Sequence, residues 1–172
     1  MKKLMLMAAG FVFAATMVAA QDVVSFIHGT VKKVDKATKT IVVKTADGTE
    51  KTVKVASDAT VDGTKDGWDG LKEGSEVVVR STGKGADATA DAVGKVGKDG
   101  LKSTKGTIEK FDAATKTVVV KTADGTEKTF ELTGKAAADA GKATANGTKK
   151  GAKVTVYYTE DAGKKTAHYL SE

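Results

Sequence analysis

The sequence predicts an all-β chain built as two small tandem barrels, and three observations carry that prediction. Residues 37–53 read Ala-Thr-Lys-Thr-Ile-Val-Val-Lys-Thr-Ala-Asp-Gly-Thr-Glu-Lys-Thr-Val, and residues 114–130 repeat them with few changes at an offset of 77 residues. Each copy is a β-branched run, an Asp-Gly turn and a second β-rich run, a strong short-range hairpin signal. The offset also holds far outside the hairpin without a gap. Gly29-Thr30-Val31 matches Gly106-Thr107-Ile108, Gly70, Lys72 and Gly74 match Gly147, Lys149 and Gly151, and Val77 and Val79 match Val154 and Val156. A period this long suits two tandem domains better than a solenoid, whose units run about 20–45 residues.

Five strands are expected in each copy. The first covers residues 26–34, with 104–111 as its twin. Val31 and Val34, like Ile108 and Phe111, are three apart. That spacing breaks strict alternation and predicts a β-bulge of the kind that lets a sheet curl. The hairpin arms are 40–45 with 49–55, and 117–122 with 126–132. In both, Asp-Gly is expected to turn with its two central residues at positive φ. Val53 and Val55, or Phe130 and Leu132, share one face and alternate with charged residues. The fourth strands are 76–81 and 153–158, and the fifth 89–93 and 166–170. Between strands three and four the copies diverge: residues 58–73 form an Asp- and Gly-rich loop, whereas 135–145 are Ala-rich and suit a short helix. Lys39, Lys44, Lys116 and Lys121 bracket the hairpin strands as gatekeepers against edge-to-edge pairing.

Five strands with a longer excursion between the third and fourth follow the order of an OB-like barrel of five to six strands. Gly29, Val31, Val34, Asp35, Ile41, Val43, Gly48, Leu71, Gly74, Val77 and Val79 carry a pattern that resembles small OB-like barrel domains of exported bacterial proteins. That family has no known function and often occurs in tandem behind a signal peptide. The resemblance covers nearly the whole chain after its leader and implies a fold and a compartment, periplasmic or secreted. It implies no catalytic residues. Copy two departs from the pattern at Thr148, where an apolar residue is expected.

Residues 1–20 stand apart. Lys2 and Lys3 precede an apolar stretch that ends in Val18-Ala19-Ala20, the layout of a signal peptide that is cleaved before Gln21. The domain expectation is therefore a leader at 1–20, a first barrel at 21–93, a Gly/Lys linker at 94–103 and a second barrel at 104–172. No span is left to cross a membrane after cleavage. There is no Cys, so neither disulfides nor thiolate metal ligands contribute. Each barrel must hold itself by burial alone, which domains of this size do only marginally. The formal net charge is +6, and removing Lys2 and Lys3 leaves +4. Residues 21–100 carry 13 basic and 13 acidic side chains against 13 and 9 in residues 101–172, so the excess belongs entirely to the second copy.

A search for chemistry finds little. His28 and His168 lack a partner at metal-ligand spacing and read as surface strand residues. Asp58, Asp62, Asp66 and Asp69 form the one acidic cluster, but without the alternating ligand pattern of a calcium loop. No Gly-x-Ser-x-Gly elbow or phosphate loop occurs. The expectation is thus no enzyme, no cofactor and no resident metal. Lys149, Lys150, Lys153, Lys164 and Lys165, with Tyr157, form the basic end of copy two and are the expected contact for an envelope protein or an anionic polymer. The alternative is a small ligand or divalent metal at the Asp58 to Asp69 loop beside Trp68. Single-stranded nucleic acid on the basic barrel ranks third, because an exported protein rarely meets it.

Overall fold

The computed structural model describes residues 23–83, 88–145 and 151–172, with the side chains of 142–145 excepted. The leader, the turn at Thr148 and the lysines Lys149 and Lys150 are outside the described residues. The first copy comprises β1 (Val24–Asp35), β2 (Thr40–Thr45), β3 (Glu50–Asp62), β4 (Glu76–Thr82) and β5 (Thr89–Val96). The second comprises β6 (Lys102–Asp112), β7 (Thr117–Lys121), β8 (Glu127–Leu132), α1 (Gly134–Ala145), β9 (Lys153–Asp161) and β10 (Lys164–Ser171). Each set of five strands closes into a barrel, β1-β2-β3-β5-β4 in one and β6-β7-β8-β10-β9 in the other. All neighbouring pairs are antiparallel except β3 with β5 and β8 with β10. Inward valines and isoleucines alternate with outward polar residues; in β2, Ile41 and Val43 are fully buried while Lys44 is exposed.

The bulges fall where the three-residue spacing placed them. Pairing of β1 with β2 jumps between Val31 and Lys33, and pairing of β6 with β7 jumps between Ile108 and Lys110. Lys32 and Glu109 are the extra residues, and the added bend helps each sheet curl. The expected helix is also present as α1, with Thr133 Oγ1 accepting the Ala136 N–H at 3.3 Å. Its Ala136 and Ala140 close the second core. In the first copy Leu71, with Trp68 of the short 3₁₀ turn Gly67–Gly70, packs on the core instead.

Three expectations are corrected. The hairpin loops span residues 46–48 and 123–125, as the expected arms leave them, but Asp47 and Asp124 do not take positive φ. Gly48 N donates to Thr45 O and Thr45 N to Thr49 O, both at 2.9 Å, and the Thr122–Thr126 pair repeats this. Only Gly48 and Gly125 take positive φ in these loops, at 85° and 84°, which is a turn followed by a glycine bulge. The Asp-rich stretch is partly strand. After a break between Val55 and Thr60, β3 resumes its pairing with β5 as far as Asp62, because β5 runs on to Val96 and offers its edge. Finally, β2 and β7 have neighbours on both sides, so the bracketing lysines guard no free edge in the folded state.

The two barrels share a third apolar cluster. Val78, Ala92 and Val96 of the first barrel and Leu101 of the connection pack against Tyr157 and Tyr169 of the second, with Phe26 at its margin. A Cβ on Gly94 would stand 2.6 Å from both Leu101 Cδ1 and Tyr169 Cε2, so a larger residue at this strand crossing would have to displace packed interface side chains. The connection between barrels is short: Leu101 N donates to Lys95 O at 2.7 Å and Gly97 N to Leu101 O at 3.0 Å. At the edge of this cluster, Arg80 of β4 grips Asp139 of α1 through Nε and an Nη, both at 2.6 Å. Its other Nη bonds Asp91. Arg80 and Asp139 are 5% and 8% exposed. Asp139 leads the causes that push the guanidinium pKa above its ordinary value, against the effect of burial. Removing one partner of a buried ionic pair leaves the others uncompensated, so Arg80→Ala should cost about 3–5 kcal/mol in urea unfolding. A loss below about 1 kcal/mol, the range of an exposed pair, would show that the fork is solvated.

Candidate functional site

The residues expected to form one basic contact are spread over the second barrel. Lys164 and Lys165 open β10 just after the β9–β10 turn, where they pair with Glu131 at 2.8 Å and Glu160 at 3.2 Å. Tyr157 is withdrawn from the surface altogether. It is 5% exposed, belongs to the interbarrel cluster and has its ring centroid 5.9 Å from that of His28. Burial raises its phenol pKa. Its expected role as a surface contact fails because β9 buries both faces.

Lys153 has the opposite situation. It pairs with Thr107 across the β9–β6 ladder, and Thr107 pairs in turn with Lys121 of β7. Directly paired residues share a face, and Lys105 is two residues from Thr107 on the same strand. Lys105, Lys121 and Lys153 therefore stand on one outward face. All three are exposed and line an open cleft of about 470 Å³ with Thr107, Thr155 and two carboxylates, Glu109 and Glu172. Among the described residues none of the three forms an ion pair. Sequence reasoning named Lys153 but missed Lys105 and Lys121; the ladder register that joins them was not legible. In the first copy the twins of Lys105 and Lys153 are His28 and Glu76, and these bond each other at 3.0 Å.

The four aspartates of the expected acidic loop go separate ways. Asp58 is on β3, Asp66 precedes the 3₁₀ turn, and Asp69 pairs with Lys36. Among the described residues no group of three or more His, Cys, Asp or Glu side chains is placed to hold a metal ion. A pocket of about 330 Å³ does open beside Trp68, lined by Asp35, Lys36, Lys39 and Asp69.

Asp62 faces the other barrel. It accepts a hydrogen bond from the Tyr169 hydroxyl, and His168 Nδ1 stands 3.2 Å from its Oδ1. The second His168 nitrogen is 3.0 Å from Thr159 Oγ1. His168 is thus a half-buried member of the interbarrel network rather than a surface strand residue; His28 is exposed as expected. Lys135 of α1 completes the network by donating to the Asp91 backbone oxygen at 2.7 Å. The signal that could have found this face is Val77-Val78-Val79. An unbroken apolar run in a strand means that both faces are covered.

No known family matches this chain, and no curated protein is significantly similar to it. Among solved structures it is similar to apo-CusF residues 6–88 from Escherichia coli, at 19% identity, covering 45% of this chain and 93% of that one, with a TM-score of 0.36. Among the described residues no helix is long and apolar enough to cross a membrane.

Burial raises the Asp62 carboxyl, but the bonds from His168 and Tyr169, with the charges of His168 and Lys135, outweigh it and leave the pKa below the ordinary value. A carboxyl depressed on folding adds stability above its unfolded pKa, about 3.9, and loses it as pH falls through the folded value. Asp62→Asn should therefore lower the urea midpoint at pH 7, with the gap to wild type narrowing as pH falls below about 4. A gap of constant size across that range would mean that the aspartate titrates as it does in the unfolded chain.

Proposed function

We propose that this chain is an exported, non-catalytic binding module of the cell envelope whose second barrel holds an anionic polymer along Lys105, Lys121 and Lys153. The observation that carries the reading is the alignment of three exposed lysines on one outward sheet face around an open cleft. A row of fixed ammonium groups attracts a polyanion at several points at once and does so less at high salt. The duplication sharpens the contrast. Copy one has a His28–Glu76 contact where copy two has two lysines, and copy two carries the whole charge excess of residues 21–172. Export is supported by the leader pattern of residues 1–20, and the non-catalytic reading by the lack of a nucleophile–base motif in the sequence.

A second reading places a small polar ligand in the pocket beside Trp68. It is favoured by that pocket's aromatic wall with charges of both signs. Trp68 is the only tryptophan, so its fluorescence reports occupation of that pocket directly.

Salt elution from immobilised heparin tests the first reading. Lys105→Glu, Lys121→Glu and Lys153→Glu together should abolish retention. Lys32→Glu, Lys33→Glu and Lys98→Glu, an equal charge change on exposed sites outside the row, should only weaken it. Equal losses in the two triple variants would reduce the interaction to net charge and sink the assignment. Trp68 fluorescence should stay constant as soluble heparin is added; a change would move the site to the first barrel.

A further inference from the structure

The two barrels are filled differently at corresponding ends. In the second, Phe130 of β8 and Tyr158 of β9 meet edge-on with ring centroids 5.0 Å apart, and both are buried. Lys102, directly opposite Tyr158 in the β6–β9 ladder, pairs with Glu160 at 2.7 Å, and Glu160 pairs also with Lys165. Two rings and an ion triad therefore close that end. The positions 77 residues earlier are Val53, Ser81, Ser25, Gly83 and Ala88. Every one is smaller than its twin. All five line a single cleft of about 720 Å³ in the first barrel, well inside the range of roughly 300–1,000 Å³ typical of small-molecule sites.

The cleft has a reason to exist in the ladder as well as in the side chains. Lys51, Thr52 and Val53 pair with β2 on one side, but β5 joins β3 only from Lys54 onward. A seam is left between the start of β3 and the strands beyond it. Its walls are of two kinds. Ile27, Val53 and Val23 are apolar, and Val23 is the one exposed large hydrophobic side chain among the described residues, at 49%. Ser25 and Ser81 supply hydroxyls 3.0 Å from each other, and Ser81 is 1% exposed. Lys51 and Lys54, both exposed, complete the lining. The twin of Lys51 is Lys128, but that of Lys54 is Glu131, already tied to Lys164, so only the first barrel sets two lysines at this edge.

We infer that this cleft is a binding site for an amphiphilic anion: an acyl or alkyl chain lies along Val23, Ile27 and Val53, and a carboxylate or phosphate head meets Lys51, Lys54 and the serine hydroxyls. Burial of the chain supplies most of the attraction. The ammonium groups and hydroxyls fix which end faces outward, because a charged head left without partners in the cleft would be penalised. The site goes beyond the polyanion reading and is independent of it. It uses the other barrel and shares no residue with the lysine row.

Isothermal titration calorimetry of the full chain without its leader tests the inference, with decanoate, decyl phosphate and 1-decanol as probes below their aggregation limits. Decanoate or decyl phosphate should bind saturably at one molecule per chain, and the preferred head tells a fatty acid from a phospholipid source. Val53→Phe with Ser81→Tyr, which installs the second barrel's rings, should weaken binding of the anion by at least about tenfold. Lys51→Glu with Lys54→Glu should weaken the anion by a similar factor and leave 1-decanol unchanged. Should the double ring variant fail to fold by circular dichroism, Ser81→Phe and the exposed lysine pair decide between them. Absence of anion binding by the wild type, or unchanged binding in either kind of variant, overturns the assignment.

Discussion

The buried fork of Arg80 on Asp139 is the constraint to which the rest of the molecule answers. A guanidinium 5% exposed can stay charged only if its donors are met, and Asp139 and Asp91 meet three of its nitrogens. Those carboxylates come from opposite barrels. Separating the copies would break the bidentate Arg80–Asp139 contact and expose the apolar cluster beside it to water. The apolar cluster of Val78, Ala92, Leu101, Tyr157 and Tyr169 supplies the area, and the fork fixes its register. Asp91 Oδ1 remains buried without a hydrogen-bond partner, so the network is held by geometry that the surrounding packing enforces.

The interface draws on the same positions in each copy. Asp62 and Asp139 are twins at the 77-residue offset, as are Arg80 and Tyr157, Asp91 and His168, and Ala92 and Tyr169. Asp62 of the first copy reaches Tyr169 and His168 of the second, while Asp139 of the second reaches Arg80 of the first. Corresponding positions of the two copies thus meet at the interface, but the contacts are not reciprocal: Asp139 reaches the twin of Tyr157, whereas Asp62 reaches the twins of Ala92 and Asp91. Once duplicated, the two sides were free to differ. One acid grips an arginine, and the other accepts from a tyrosine and a histidine. The outward faces diverged in the same way, so that the filled barrel carries the lysine row and the open one carries the cleft.

The barrels were legible in the sequence because the repeat states each strand twice. The bulges were legible because the Val31–Val34 spacing cannot be kept on one face otherwise. The hairpin arms were legible too, but the turn type was not, since Asp-Gly suits both a two-residue turn and a turn closed by a glycine bulge and only the hydrogen bonding decides. The extension of β3 past Val55 was hidden, because Asp58 interrupts the apolar pattern and the pairing there is dictated by β5. The interface was hidden for a deeper reason: charged residues in strands read as solvent-facing, and Arg80 and Asp139 look no different in a sequence from their exposed neighbours. The lysine row shared this fate, because its members come from three strands whose register no local pattern reveals.

A small barrel that could not easily stabilise itself alone is here stabilised by its duplicate, and the claim that the two form one cooperative unit is open to a direct measurement. Trp68 belongs to the first barrel, and all three tyrosines, Tyr157, Tyr158 and Tyr169, belong to the second. Equilibrium urea unfolding followed by tryptophan fluorescence and by the near-ultraviolet ellipticity of the tyrosines therefore reads the halves separately. Coincident midpoints and slopes are the result expected of a shared core locked by Arg80. Two separated transitions, with Trp68 reporting one and the tyrosines the other, would show that the barrels merely touch.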